Sequence, residues 1–141
     1  MIYKIFSYKK VNSTNDIAIK KIKKGFSRGL VQAEIQKRGR GQHGKKWISY
    51  NGNLFITIFF KINKKIPLKK ITFKNCSKIK KVISILIKKN LTIKRPNDLL
   101  LNKKKICGIL QETTTYNNSL FMVLGIGINL IKSPKIINYS T

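Results

Sequence analysis

The sequence predicts an α+β fold, a mixed β-sheet with helices packed mainly on one face. Three observations predict it. Several short segments rich in β-branched and aromatic residues alternate or run apolar, as strands do. Two longer segments repeat their apolar residues at helical spacing. The two kinds follow one another as strand, helix, strand, strand, helix and then several strands, with no internal repeat and no linker. The 141 residues suit one domain, 1–141, and a chain of that length buries roughly two-thirds of its unfolded surface.

Each element has its own signature. Ile2 to Tyr8 alternates apolar and polar residues and predicts a strand. Asn12-Ser13-Thr14-Asn15-Asp16 is a run of helix-capping residues, followed by Ile17, Ala18, Ile19 and Ile22 at helical spacing and by Gly25 as a stop. Gly29 to Gln36 is the second strand. Lys37 to Gly52 is polar, glycine-rich and without period, which predicts a loop that is mobile when empty. Asn53 to Lys61 is a buried strand, and Lys64 to Leu68 connects it to a helix over Phe73 to Lys89. Leu91 to Lys94 is a short strand cut by Pro96. Asp98 to Leu101 and Lys105 to Glu112 flank a hairpin turn at Asn102-Lys103-Lys104. Leu120 to Leu130 is a last strand region, interrupted by Gly125 and Gly127.

The charge is extreme. Lys and Arg number 31 against four acids, a formal net charge of +27, and such a field attracts nucleic acid, ATP, anionic membranes or acidic proteins. Only Arg28, Arg38, Arg40 and Arg95 are arginines, and Ile and Asn are also abundant. A dedicated nucleic-acid surface uses more arginine for its bidentate fork. Most of the charge therefore reads as compositional drift toward lysine, and no specific nucleic acid is expected as partner. The four acids, Asp16, Glu34, Asp98 and Glu112, become the informative residues, because each lies in or beside a motif. Cys76 and Cys107 are far apart and lack metal-ligand spacing; with no signal peptide they predict reduced thiols in the cytoplasm. No stretch has the length of a membrane span, so no membrane is expected.

Five constellations carry chemistry. The loop from Lys37 to Trp47 offers glycine backbone N–H groups for an anion, a bidentate donor in Arg40 and a flat face in Trp47 on which a purine could stack. A solvated basic loop explains it equally well. In Lys94-Arg95-Pro96-Asn97-Asp98-Leu99, Asp98 could hold Mg²⁺ through water or orient a lysine, whereas a plain Pro-Asn-Asp turn is the commoner case. Lys105 opens a strand after a turn, where a lysine can neutralise charge developing on a phosphate; taken alone it is one surface lysine among many. Gly125-Ile126-Gly127-Ile128-Asn129 implies close approach of another backbone or a ligand. It lacks the third glycine and following helix of a dinucleotide fingerprint. Ser13-Thr14-Asn15 is a helix cap, and also two hydroxyls and an amide at a helix N-terminus. His43 is given no role.

The order and spacing of these pieces resemble the biotin protein ligase family over essentially the whole chain. The resemblance implies the class II aminoacyl-tRNA synthetase-like, biotin–lipoate ligase-like catalytic fold. It implies ATP-dependent activation of biotin to biotinoyl-5'-AMP, with Mg²⁺, and transfer to a lysine of the biotin carboxyl carrier domain of acetyl-CoA carboxylase or a related biotin enzyme. By position, Ser13, Thr14, Asn15, Gln36, Arg40, Gly41, Gln42 and Lys105 would bind biotin. Arg40, Trp47, Asn97, Asp98, Lys105 and Asn129 would bind ATP, and Arg40 and Lys105 would be catalytic.

Two departures stand out: family members commonly carry Arg where this chain has Gln42, and often Trp where it has Arg95. The lost charge at Gln42 is expected to weaken retention of the adenylate. The catalytic domain is expected to be incomplete at its C-terminus, with neither a helix-turn-helix domain before it nor a small β-barrel domain after it, so no repressor activity is expected. The resemblance leaves room for a homodimer. Three alternatives remain: a lipoate or octanoate transferase of the same superfamily, a basic nucleic-acid-binding protein, and an inactive remnant.

Overall fold

The computed structural model describes residues 2–131 of the chain; the last ten residues of the expected 1–141 domain lie outside them. Seven strands and two α-helices follow the chain as β1 (Lys4–Val11), α1 (Thr14–Lys23), β2 (Arg28–Gln36), β3 (Leu54–Ile62), α2 (Leu68–Ile87), β4 (Thr92–Lys94), β5 (Asp98–Leu101), β6 (Lys104–Tyr116) and β7 (Ser119–Ile128). The strands form one sheet in the order β1-β2-β3-β7-β6-β5-β4. Among the described residues only β1 and β2 pair in parallel, across the α1 crossover; every other neighbouring pair is antiparallel. The sheet is mixed, as the sequence predicts.

The side-chain period of two sorts β7 into two faces. Met122, Leu124, Ile126 and Ile128 pack with Cys76 and Ile83 of α2 and with Leu99, Cys107 and Ile109. Phe121 and Val123 pack with Ala18 and Ile22 of α1, Val31 of β2 and Phe59 of β3. The two helices therefore cover opposite faces, which corrects the expectation of helices mainly on one face. Periodicity says that a helix has an apolar side; it does not say which face of the sheet receives it. Burial pushes the Cys107 thiol up to about 12 and raises that of Cys76. Both free cysteines are protonated core residues.

Several boundaries also differ. β1 lies further along the chain than expected, because its pairing with β2 runs on to Val11↔Gln36. α2 starts at Leu68, directly after Pro67, and ends on Lys88 in the left-handed region. β6 continues through Thr113-Thr114-Thr115 to Tyr116, and Asn117 and Asn118, both at positive φ, turn it into β7. That pair of asparagines is the local signal for a two-residue hairpin. Asn102 and Lys103 make the same kind of turn between β5 and β6, so Lys104 already belongs to the strand.

Strand register lays out the face under α1 in rows. Gly29, Phe59, Val123 and Glu112 lie abreast, then Val31, Thr57, Gly125 and Leu110, then Ala33, Phe55, Gly127, Gly108 and Asp98. The middle of the second and third rows is glycine, so the side-chain layer dips across β7 and β6 beside the N-terminus of α1, a trough in which the Asn15 and Trp47 side chains lie.

Candidate active site

One wall of the trough is the start of α1. Ser13 caps the helix, its Oγ accepting from the Asp16 N–H at 3.4 Å. The cap is buried together with Thr14 and Asn15. Gln36, at the end of β2, accepts through Oε1 from the Thr14 N–H (2.9 Å) and hydroxyl (3.1 Å), and its Nε2 donates to Ser49 Oγ at 3.2 Å. From the sheet, the fully buried Thr57 donates its hydroxyl proton to Asn15 Oδ1 at 2.6 Å and stands 2.8 Å from Thr14 Oγ1. A Cβ on Gly125 would overlap the Asn15 carboxamide, so glycine is what lets Asn15 sit on the sheet. Thr14, Asn15, Gln36 and Thr57 thus form an uncharged polar group whose side chains are hydrogen-bonded to one another.

The loop after β2 is a hydrogen-bonded hairpin. The Trp47 N–H donates to Gly39 O and the Gly41 N–H to Lys45 O, both at 2.8 Å, and Arg40 bridges Lys46. Gln42, His43 and Gly44 form the tip, with His43 at φ 55°. The Trp47 indole lies on the floor made by Gly108 and Gly127, where a Cβ on either glycine would collide with its ring. Its Nε1 is buried without a hydrogen-bond partner among the described residues.

Arg40 reaches back from the hairpin to the α1 end. Nη1 donates to Glu112 Oε1 at 2.6 Å, and Nη2 donates to Glu112 Oε2 and to Asp16 Oδ1, each at 2.8 Å. Asn15 Nδ2 donates to the same Glu112 Oε2 at 2.8 Å. The bond with Glu112 holds the guanidinium charged. Burial pushes the Glu112 carboxyl up, but hydrogen bonds from Arg40 and Asn15 outweigh it and hold the group below its ordinary value of 4.5. A depressed carboxyl stabilises the fold above that ordinary value and loses its contribution as pH falls through the lower, folded one. Thermal melting in a pH series is expected to show this contribution level from about pH 5 upward and lost only in stronger acid; loss already at neutral pH would contradict it.

The opposite end holds the second cation. Lys105 Nζ pairs with Asp98 Oδ1 at 2.8 Å and stands 5.1 Å from the Trp47 ring centroid. A bulge puts it there. Leu99 pairs with Cys107 but Leu100 pairs with Lys105, so Ile106 is the extra residue. Without it, strand alternation would turn Lys105 to the α2 face.

The other expected site residues have other work. Asn97 is tied to β6 on both sides: its Nδ2 donates to Ile109 O at 3.0 Å, and its carbonyl accepts from the Ile109 N–H at 2.9 Å. The Asn129 N–H donates to Ile106 O at 2.8 Å, next to the bulge. Arg95 lies over the Phe73 ring of α2 at 5.4 Å. Asp98 does not fit a Mg²⁺ held by protein alone: it is paired with Lys105, and among the described residues no group of three or more His, Cys, Asp or Glu comes together. Sequence reasoning did not assign Thr57, Glu112 or Asp16 to the site. Thr57 was detectable as the one polar residue in Leu54-Phe-Ile-Thr-Ile-Phe-Phe60, and Glu112 and Asp16 as two of only four acids. No helix among the described residues is long and apolar enough to cross a membrane.

Comparisons with known proteins agree on the family. The profile of the biotin/lipoate A/B protein ligase family matches residues 7–129. The bifunctional ligase/repressor BirA of Escherichia coli is 32% identical over 126 residues, covering 85% of this chain and 38% of that protein. The biotin–[acetyl-CoA-carboxylase] ligase of Paracoccus denitrificans is 30% identical over 129 residues, covering 89% of this chain and 54% of that one. The chain thus spans about half the length of such relatives or less. The structure of biotin protein ligase from Aquifex aeolicus in complex with biotin and ATP superposes with a TM-score of 0.76 at 25% identity, over 95% of this chain and 56% of that one. The predicted biotin–lipoate ligase-like fold is therefore the observed one, and the chain belongs to the biotin/lipoate A/B protein ligase family.

Proposed function

We propose that this chain activates biotin with ATP to biotinoyl-5'-AMP and passes the biotinoyl group to a lysine of a biotin carboxyl carrier domain, such as that of acetyl-CoA carboxylase. One observation carries the reading. A single trough has a neutral, hydrogen-bonding end (Thr14, Asn15, Gln36, Thr57), a glycine floor under an indole, and a lysine at the far end. A neutral ureido ring suits the first end, with Ser13 fixing the helix start beneath it. A carboxylate and the α-phosphate suit Lys105. Trp47 and the glycine floor suit a flat base, and family resemblance assigns Asn129 to the nucleotide and Gly41 and Gln42 to biotin. Asn97 acts here by holding the Asp98 turn against β6.

The chemistry asks little of the protein beyond position and charge. A biotin carboxylate oxygen attacks the α-phosphorus, an O–P bond forms, and pyrophosphate leaves. The carrier amine then attacks the acyl carbon, forming the amide and releasing AMP. Negative charge accumulates in the first step, and a fixed cation there is worth several kcal/mol, ~3 by analogy with oxyanion donors. Mg²⁺ is assigned to the nucleotide phosphates and not to Asp98, and no step is routed through it.

Pyrophosphate release from ATP and Mg²⁺ tests the reading, with biotin beside lipoate and octanoate. Release that depends on biotin and ignores the other two acids is the expected result. Release with lipoate instead would move the chain to the lipoate branch of its family. Silence with all three would remove the adenylation reading altogether.

A further inference from the structure

We propose that Glu112, together with Asp16, is a positioning residue: it fixes Arg40 as the anchor of the 37–47 hairpin and withdraws it from direct contact with substrate. The inference rests on the proposed function of the trough and revises the role that family resemblance implies for Arg40.

The geometry is that of a strut. Two parallel N–H···O bonds join the guanidinium to Glu112, and a third joins it to Asp16. Such fork-to-fork pairing fixes direction as well as distance. The partners come from three separate elements: Arg40 from the hairpin, Asp16 from α1 and Glu112 from β6. Glu112 is itself held by Asn15, which is held by Thr57. The hairpin is therefore fastened at both ends, by Arg40 on this cluster and by Trp47 on the glycine floor. The polar end of the trough and the start of the hairpin share one hydrogen-bond network.

Charge argues the same way. One guanidinium faces two carboxylates, so the cluster carries a net charge of −1 within a chain of net charge +27. A carboxylate or phosphate gains nothing by approaching it and is directed to the Lys105 end. Three of the four acids in the chain are spent on the two cations of the site: Asp16 and Glu112 on Arg40, and Asp98 on Lys105.

The substitution Glu112→Gln separates an anchor from a substrate cation, because the two roles predict opposite signs. An anchor loses its hold, so KM for biotin rises about tenfold while kcat changes less, as expected when one charge-assisted hydrogen bond set that orients a site is lost. A cation that meets substrate would be freed from its competing carboxylate, and KM would fall or stay level. Trp47 is the only tryptophan in the chain and reports on the hairpin without any ligand. Its emission is expected to shift to the red and its quenching by acrylamide to increase in Glu112→Gln. Asp16→Asn, which takes the charge out of one bond of three at a half-exposed side chain, should give a smaller change of the same sign, and it keeps the test open where Glu112→Gln fails to fold. Arg40→Lys keeps the charge but cannot make the fork; an anchor fails in this variant, and Glu112→Asp recovers part of the effect. Unchanged Trp47 quenching in Glu112→Gln and Asp16→Asn would overturn the proposal. The ligand-free fluorescence decides the anchor even if the wild-type chain releases no pyrophosphate, so the two readings fail separately.

Discussion

With alanine at position 105, biotin-dependent pyrophosphate release is expected to fall by roughly 10²- to 10³-fold, the usual cost of removing a preorganised group that meets developing charge. The substitution also leaves Asp98 in a half-buried site without its cation. Removing one partner of a buried pair costs about 3–5 kcal/mol, and part of that penalty should be seen as a lower urea midpoint. The double variant Lys105→Met/Asp98→Asn separates the two effects. It removes both charges, restores an uncharged and better packed site, and should recover most of the stability and none of the activity. Recovery of turnover in the double variant would mean that Lys105 supports only the fold.

Gly125→Ala is expected to be nearly as damaging, through shape and not charge. The added methyl would overlap the Asn15 carboxamide. Asn15 cannot yield, because it is bonded to Thr57 at 2.6 Å and to Glu112 at 2.8 Å. Overpacking of this kind costs about 1–3 kcal/mol, and here the displaced group is part of the polar wall. A tenfold or larger loss of biotin affinity should accompany the lower stability, a loss worth about 1.4 kcal/mol per decade. Calorimetric titration with biotin beside a denaturation curve would measure both. Wild-type affinity in a destabilised variant would show that Asn15 packs the wall without facing the ligand.

Much of this site is legible in the sequence because its signals are local. The capping run before Ile17 places Ser13, Thr14 and Asn15 at a helix start, and the glycines at 125 and 127 announce close approach, though what approaches is the side chains of Asn15 and Trp47 and not the expected backbone or ligand. The polar spacing around Lys105 sets it just past a turn, and the turn is there. What is not legible depends on partners distant in sequence. Glu112 meets Arg40 across 72 positions and Thr57 meets Asn15 across 42, and no periodicity encodes such pairs. The start of α2 is obscured for a different reason. Lys69 and Lys70 in its first turn match the lysines of the preceding connection, so composition does not change at the boundary. Val82, Ile85 and Leu86 remain exposed on that helix, which blurs the apolar stripe that would have identified its inner side.

Three lysines stand in succession at 103, 104 and 105, and a chain drifting toward lysine could have acquired any of them by accident. Ile106, the extra residue at the bulge against β5, decides among them. The backbone makes the choice: one extra position in the strand sets which ammonium stands beside the Trp47 ring and the Asp98 carboxylate.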